Sequence, residues 1–100
     1  MRITRETLRV LRVFCANPSS EHYGLETIKA SGVQAGTLYP ILIRLERNGW
    51  LESAWETIDE KAAGRPARRY YRLTETGLRD ARAQVRDEDR LTASLQVRHA

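Results

Sequence analysis

The chain has 100 residues, 17 Lys+Arg against 13 Asp+Glu for a net charge of +4, and one cysteine, which leaves room for a single small domain. Apolar residues at 41% and charged residues at 30% exclude a disordered tail and a collagen-like repeat, and the length argues against a large catalytic cleft. So short a chain leaves much of its surface exposed, and a second copy is expected to supply apolar burial that the monomer lacks.

The first helix is expected from a cap at Thr4 to about Cys15, because Leu8, Leu11 and Cys15 recur at helical spacing and Val10 and Phe14 widen the stripe. Asn17-Pro18 stops it. Ser19 or Ser20 can cap a short second helix that carries Tyr23, Leu25 and Ile28 inward and ends at Ser31-Gly32. The best-defined element is a third helix from Ala35 to Asn48: Leu38, Ile41, Leu42 and Leu45 share one arc, and Gly49 supplies a left-handed stop. Its opposite arc carries Gly36, Thr37, Tyr39, Pro40, Ile43, Arg44 and Arg47, with Pro40 near the first turn, where a missing N–H costs little.

Trp50 to Glu56 and Arg69 to Leu73 alternate as strands, and the segment Thr57 to Ala67 between them makes a hairpin with a long, polar, cationic tip. Thr74 then caps a final helix with Leu78, Ala81, Val85, Thr92 and Leu95 near heptad spacing. The run Arg86 to Arg90 interrupts that stripe and leaves the order of the last ten residues open.

Lys29 and Lys61 are the only lysines, and Arg65, Arg68, Arg69 and Arg72 fall within eight residues, interrupted by Tyr70 and Tyr71. Arginine is the fork donor for phosphate and guanine, so this local patch suggests a polyanionic partner, although many arginines merely solvate a surface. His22 and His99 have no companions at metal spacing, and neither a Gly-rich phosphate loop nor a nucleophile elbow occurs, so no metal, cofactor or enzymatic activity is expected. Cys15 reads as a small buried hydrophobe, Trp50 and Trp55 as core and dimer-edge packing, and Asp87 to Asp89 as a solvated face. With no apolar signal run in MRITRE, no internal disulfide and no stretch near the ~20 apolar residues of a membrane span, a cytoplasmic protein without membrane contact is expected.

The order helix, helix, helix, strand, basic loop, strand, helix is that of a winged helix-turn-helix. The expected fold is therefore mainly α with a small β-hairpin, residues 1–74 forming the DNA-binding domain and residues 75–100 an added C-terminal dimerisation helix. A DNA major groove, ~12 Å wide, admits a helix whose first residues are small enough to approach base edges, and Gln34 through Tyr39 offers such residues. The same residues also fit an ordinary helix N-terminus with Tyr39 in the core. At the hairpin tip, Gly64-Arg65-Pro66 is suited to presenting one guanidinium to a narrow minor groove, and equally to a plain turn.

The segments HYGLETIKASGV, GTLYPILIRLERNGWLES and GRPARRYYRLTETG resemble the PadR-like transcriptional regulators from about His22 to Gly77. The resemblance implies a dimeric bacterial transcription factor, commonly a repressor, that binds a palindromic operator through the third helix and the wing. The expected DNA-binding residues are Gln34, Gly36, Thr37, Tyr39, Pro40, Arg44 and Arg47 on the helix, and Lys61, Gly64, Arg65, Arg68 and Arg69 on the wing. Leu8, Leu11, Leu78, Ala81, Val85 and Leu95 are the expected dimerisation residues. The partners are then double-stranded DNA, a second copy of the chain and an unidentified small-molecule effector. Because Leu78 to Ala100 contains no Phe, Tyr or Trp, planar aromatic compounds are not expected to bind between the C-terminal helices. The competing reading is a winged-helix protein-interaction module without specific DNA binding.

Overall fold

The computed structural model describes the backbone of residues 1–99 and the side chains of residues 1–96. Helix α1 (Arg5–Ala16) starts where Thr4 caps it, the Thr7 N–H donating to the Thr4 hydroxyl at 3.1 Å. It buries Thr7, Val10, Leu11 and Phe14, and ends at Asn17. The next segment departs from expectation. His22–Tyr23 form a two-residue strand, β1, paired with Tyr71 and Tyr70, so α2 begins only at Gly24 and runs to Ser31.

That later start sets the phase of α2. Gly24 and Thr27, three apart, face inward, Ile28 packs partly against the core, and Leu25 is left 60% exposed rather than buried. The Thr27 hydroxyl is satisfied by donating to the Tyr23 carbonyl at 2.8 Å. Gly32, at φ +73°, closes the helix in the left-handed conformation that glycine tolerates best.

Helix α3 (Ala35–Arg47) buries Leu38, Ile41, Leu42 and Leu45, the arc expected from the sequence, and the chain turns away at Gly49 with φ +75°. Pro40 is the sixth residue of the helix and lies beyond the turn where a missing N–H is free of cost, since the Leu38 N–H already bonds back to the Gln34 carbonyl at 2.8 Å. The Gly36 carbonyl therefore lacks its helical donor, and because Gly36 and Pro40 are both exposed, water can replace it.

Strands β2 (Leu51–Trp55) and β3 (Arg69–Leu73) pair antiparallel, with Leu51 opposite Leu73, Ser53 opposite Tyr71 and Trp55 opposite Arg69. With β1 on the other side of β3, the expected hairpin becomes a three-stranded sheet of order β1-β3-β2. The loop joining β2 to β3 contains a single helical turn, α4 (Glu60–Ala63), capped by Asp59 and closed by Gly64 at φ +69°.

Helix α5 (Glu75–His99) is capped by Thr74, whose hydroxyl accepts from the Gly77 N–H at 2.9 Å and donates to the Gly49 carbonyl at 2.6 Å. Gly77 is needed for this joint, because a Cβ there would overlap the Trp50 backbone. Ala81 is fully buried in the core formed by α1, α3, β2 and β3, and Leu78 and Val85 pack against its edge. The helix then leaves the body, giving a molecule 58 Å long but only 25 × 21 Å across. Its backbone is helical as far as His99 within the stretch whose order the sequence left open, while the His99 side chain, set aside above as a metal ligand, lies outside the described residues.

The dimerisation residues divide accordingly. Leu11 and Ala81 are fully buried within their own chain, so neither is free to touch a partner, because both positions are taken up by the core of the domain. Leu78 and Val85 are partly consumed by the same packing. Leu8 remains half-buried beside a groove of about 520 Å³ between the start of α1 and the middle of α5, and Leu91 and Leu95 are 56% and 46% exposed.

Candidate nucleic-acid interface

The outer arc of α3 is free of the core. Gln34, Gly36, Thr37, Tyr39, Pro40, Ile43, Arg44 and Arg47 are all exposed. Tyr39 is nevertheless positioned: it is 43% exposed, and its hydroxyl end rests over Gly24, where a Cβ would collide with the ring. Gly24 thus lets α2 and α3 approach and sets the direction of the phenol. Arg44 leans toward α1, donating to the Thr7 hydroxyl at 3.4 Å, whereas Arg47 has no carboxylate partner among the described residues.

The wing is arranged differently. Its four clustered arginines each meet a carboxylate from another part of the chain. Arg65 grips Glu56 with both terminal nitrogens, at 2.7 and 3.1 Å. Arg68 donates to Glu56 from its backbone N–H at 2.8 Å and from Nε at 3.2 Å, reaches Glu26 at 3.4 Å, and lies 4.1 Å over the Tyr23 ring. Arg69 donates to the Ser53 hydroxyl at 2.7 Å, which in turn donates to Glu46 at 2.5 Å, and its guanidinium lies 5.4 Å from the exposed Trp55 ring. Arg72 reaches Glu21 at 3.2 Å.

Lys61 is therefore the one cation between Thr57 and Arg72 without a carboxylate partner among the described residues. The sequence presents a basic cluster because its neutralising acids, Glu21, Glu26, Glu46 and Glu56, are spread over four other segments. Gly64-Arg65-Pro66 does not hold its arginine outward: the left-handed Gly64 turns the chain back, and Arg65 folds onto Glu56 and the Pro66 carbonyl.

Glu56 is the residue that sequence reading missed. Its side chain is 10% exposed, and bonds from Arg65 first and Arg68 second hold its carboxyl well below the usual carboxylate range. The only sequence signal is a single acid at the end of a strand, directly before a cationic loop. Burial, with a further contribution from the Glu56 charge, pushes the Tyr23 hydroxyl up. Cys15 is half-buried beside Arg82, Val85 and Asp89, and burial raises its thiol. Trp50 packs against the core, and Trp55 is 60% exposed on the wing. Among the described residues there is no group of His, Cys, Asp and Glu able to hold a metal ion, and no helix is long and apolar enough to cross a membrane.

A helix with a bare outer arc, preceded by a short helix across a tight turn and followed by a two-stranded wing, defines a winged helix-turn-helix. Solved structures share the architecture. A PadR-like transcription factor from Bacteroides fragilis matches with a TM-score of 0.69 at 23% identity, over 92% of this chain and 90% of its own. A Streptococcus transcriptional regulator matches at 0.73 and 22%, over 94% and 91%. Staphylococcus aureus MepR in its DNA-binding conformation matches at 0.68 and 23%, over 94% and 66%. No curated protein gives a significant match. The model of the transcriptional regulator PadR-like family matches residues 18–83, about two thirds of the chain, and the chain belongs to that family of DNA-binding, winged-helix regulators. Its family and fold are those of regulators, which are generally not enzymes.

Proposed function

We propose that the chain is a homodimeric repressor that binds a palindromic operator, α3 entering the major groove and the β2–β3 wing lying along the flanking backbone. The observation that carries this reading is the two-sidedness of α3: one arc is wholly buried, while the other presents Gly36, Thr37, Tyr39 and Arg47 to solvent. Small residues at the helix start allow close approach to base edges, and Arg47 supplies an unpaired cation for phosphate. The likeness in fold to MepR in its DNA-binding conformation supports DNA binding by this architecture. Gln34, Pro40 and Arg44 flank this surface, and Lys61, Gly64, Arg65, Arg68 and Arg69 form the wing's share.

Leu8, Leu91 and Leu95 are the apolar groups left for a second copy, with the edges of Leu78 and Val85. The absence of Phe, Tyr and Trp from the last helix supports control by protein concentration or by a non-planar effector, in place of a stacked planar ligand. Selection of bound duplexes from a random pool, followed by fluorescence anisotropy and light scattering, tests the reading. Two half-sites ~34–36 Å apart, or a multiple of that, are expected, with affinity falling ~10³–10⁵-fold between ~50 and ~200 mM salt if ~6–10 phosphates are neutralised. A monomer at micromolar concentration, or binding blind to sequence, would favour an interaction module instead.

A further inference from the structure

The wing's cationic groups are more heavily engaged than a DNA-gripping loop requires. Glu56 stands at the end of β2 with its carboxylate almost enclosed, and both of its oxygens are occupied: Oε1 by Arg65, the Arg68 backbone N–H and Arg68 Nε, and Oε2 by Arg65 and, at 3.5 Å each, by Arg68 and the Tyr23 hydroxyl. A two-pronged guanidinium on a carboxylate uses the same donor geometry that would hold a phosphate. The two anions therefore compete for the same groups.

We propose that Glu56 is a built-in counter-ion of the wing that masks Arg65 and Arg68 from DNA phosphate, lowering affinity for arbitrary duplex and leaving discrimination to α3. The inference rests on the DNA-binding reading of this fold. Any DNA that takes up either guanidinium must displace a carboxylate, and that carboxylate stays close to the phosphates, where its charge opposes binding. Arg47, with no carboxylate partner among the described residues, meets DNA without such a competitor. Because the Arg68 backbone N–H is held by the same oxygen, the clamp also fixes where β3 begins and so positions the wing whether or not DNA is bound.

The test uses the full chain and Glu56→Gln, titrated with an unrelated duplex and with the selected operator over a range of salt concentrations. Removing one opposing charge is expected to raise affinity for the unrelated duplex several-fold at low salt and to steepen the dependence of log affinity on log salt by about one. The ratio of operator to unrelated affinity should fall. Glu26→Gln removes the same charge from an exposed site that touches only Arg68, and its effect should be clearly smaller. Arg65→Gln should weaken binding more in the Glu56→Gln background than in the natural chain. Unchanged or weaker binding of unrelated duplex with an unchanged salt slope would overturn the proposal and make Glu56 a structural brace alone.

If Glu56→Gln fails to fold, the Nε–H resonances of Arg65 and Arg68 in the natural chain decide instead. They should move on titration with duplex, and resonances that stay fixed while DNA binds would overturn the masking. A chain that binds duplex without sequence preference would sink the operator reading alone, since the effect of Glu56 is read on unrelated DNA.

Discussion

The outer arc of α3 and the wing both carry arginines, yet they stand in opposite electrostatic states. On α3, neither Arg44 nor Arg47 has a carboxylate partner among the described residues, so DNA phosphate meets no competing anion there, although Arg44 donates to the Thr7 hydroxyl and Tyr39 rests over Gly24. On the wing, Arg65, Arg68, Arg69 and Arg72 each already have an acidic partner drawn from the residue after β2, α2, α3 or the segment before β1. A count of charges along the sequence treats the two surfaces alike. Their difference shows that a basic segment predicts a polyanion site only after the acids that fold against it are known.

The largest effects should separate the two faces of α3. Leu42 is fully buried, and Leu42→Ala should cost ~2–5 kcal/mol in urea unfolding, whereas Thr37→Ala and Arg47→Ala should each remain within about 0.5 kcal/mol. A large loss from Arg47→Ala would mean that the outer arc is committed to the fold after all. Next comes the α2–α3 contact. Gly24→Ala puts a methyl group into the Tyr39 ring, and is expected to cost about 1–3 kcal/mol and to displace the phenol. Gly24→Ala combined with Tyr39→Leu should recover stability but not DNA affinity.

DNA titrations sharpen the contrast between the two cationic surfaces. Arg47→Ala should weaken binding and reduce the salt slope by about one, while Arg65→Ala, which removes a guanidinium already neutralised by Glu56, should change that slope less. Equal changes would erase the distinction. The smallest effect is in pH. The Glu56 carboxyl is depressed in the folded chain, so its stabilising contribution is complete above the ordinary glutamate value of about 4.3 and is lost only as pH falls through the lower folded value. Carboxyl NMR should find Glu56 still ionised below about pH 4.3, where a free glutamate is mostly protonated. A midpoint at the ordinary value would mean that the clamp is open in solution.

Local signals alone determined several features of this protein. The cap at Thr4, the buried arc of α3, the left-handed stop at Gly49, the two alternating strands and the cap at Thr74 are each set by side chains within a turn or two of the backbone they satisfy. Two of the three motif segments that carry the family resemblance overlap these stretches, whereas HYGLETIKASGV falls in β1 and α2. Tertiary structure decided the rest, because it depends on groups far apart in the chain. His22 and Tyr23 become a strand only because β3 offers them a ladder, and that pairing moves the start of α2 and turns Leu25 outward. Leu11 and Ala81 are withdrawn from the expected dimer seam because the core of their own chain buries them completely. Arg65 and Arg68 change from free cations into a neutralised pair because Glu56, nine and twelve residues away, is brought beneath them by the turn of the wing. Periodicity reveals which face of an element is apolar, but the partner of a charge is a matter of distance in space, and only the folded chain sets that distance.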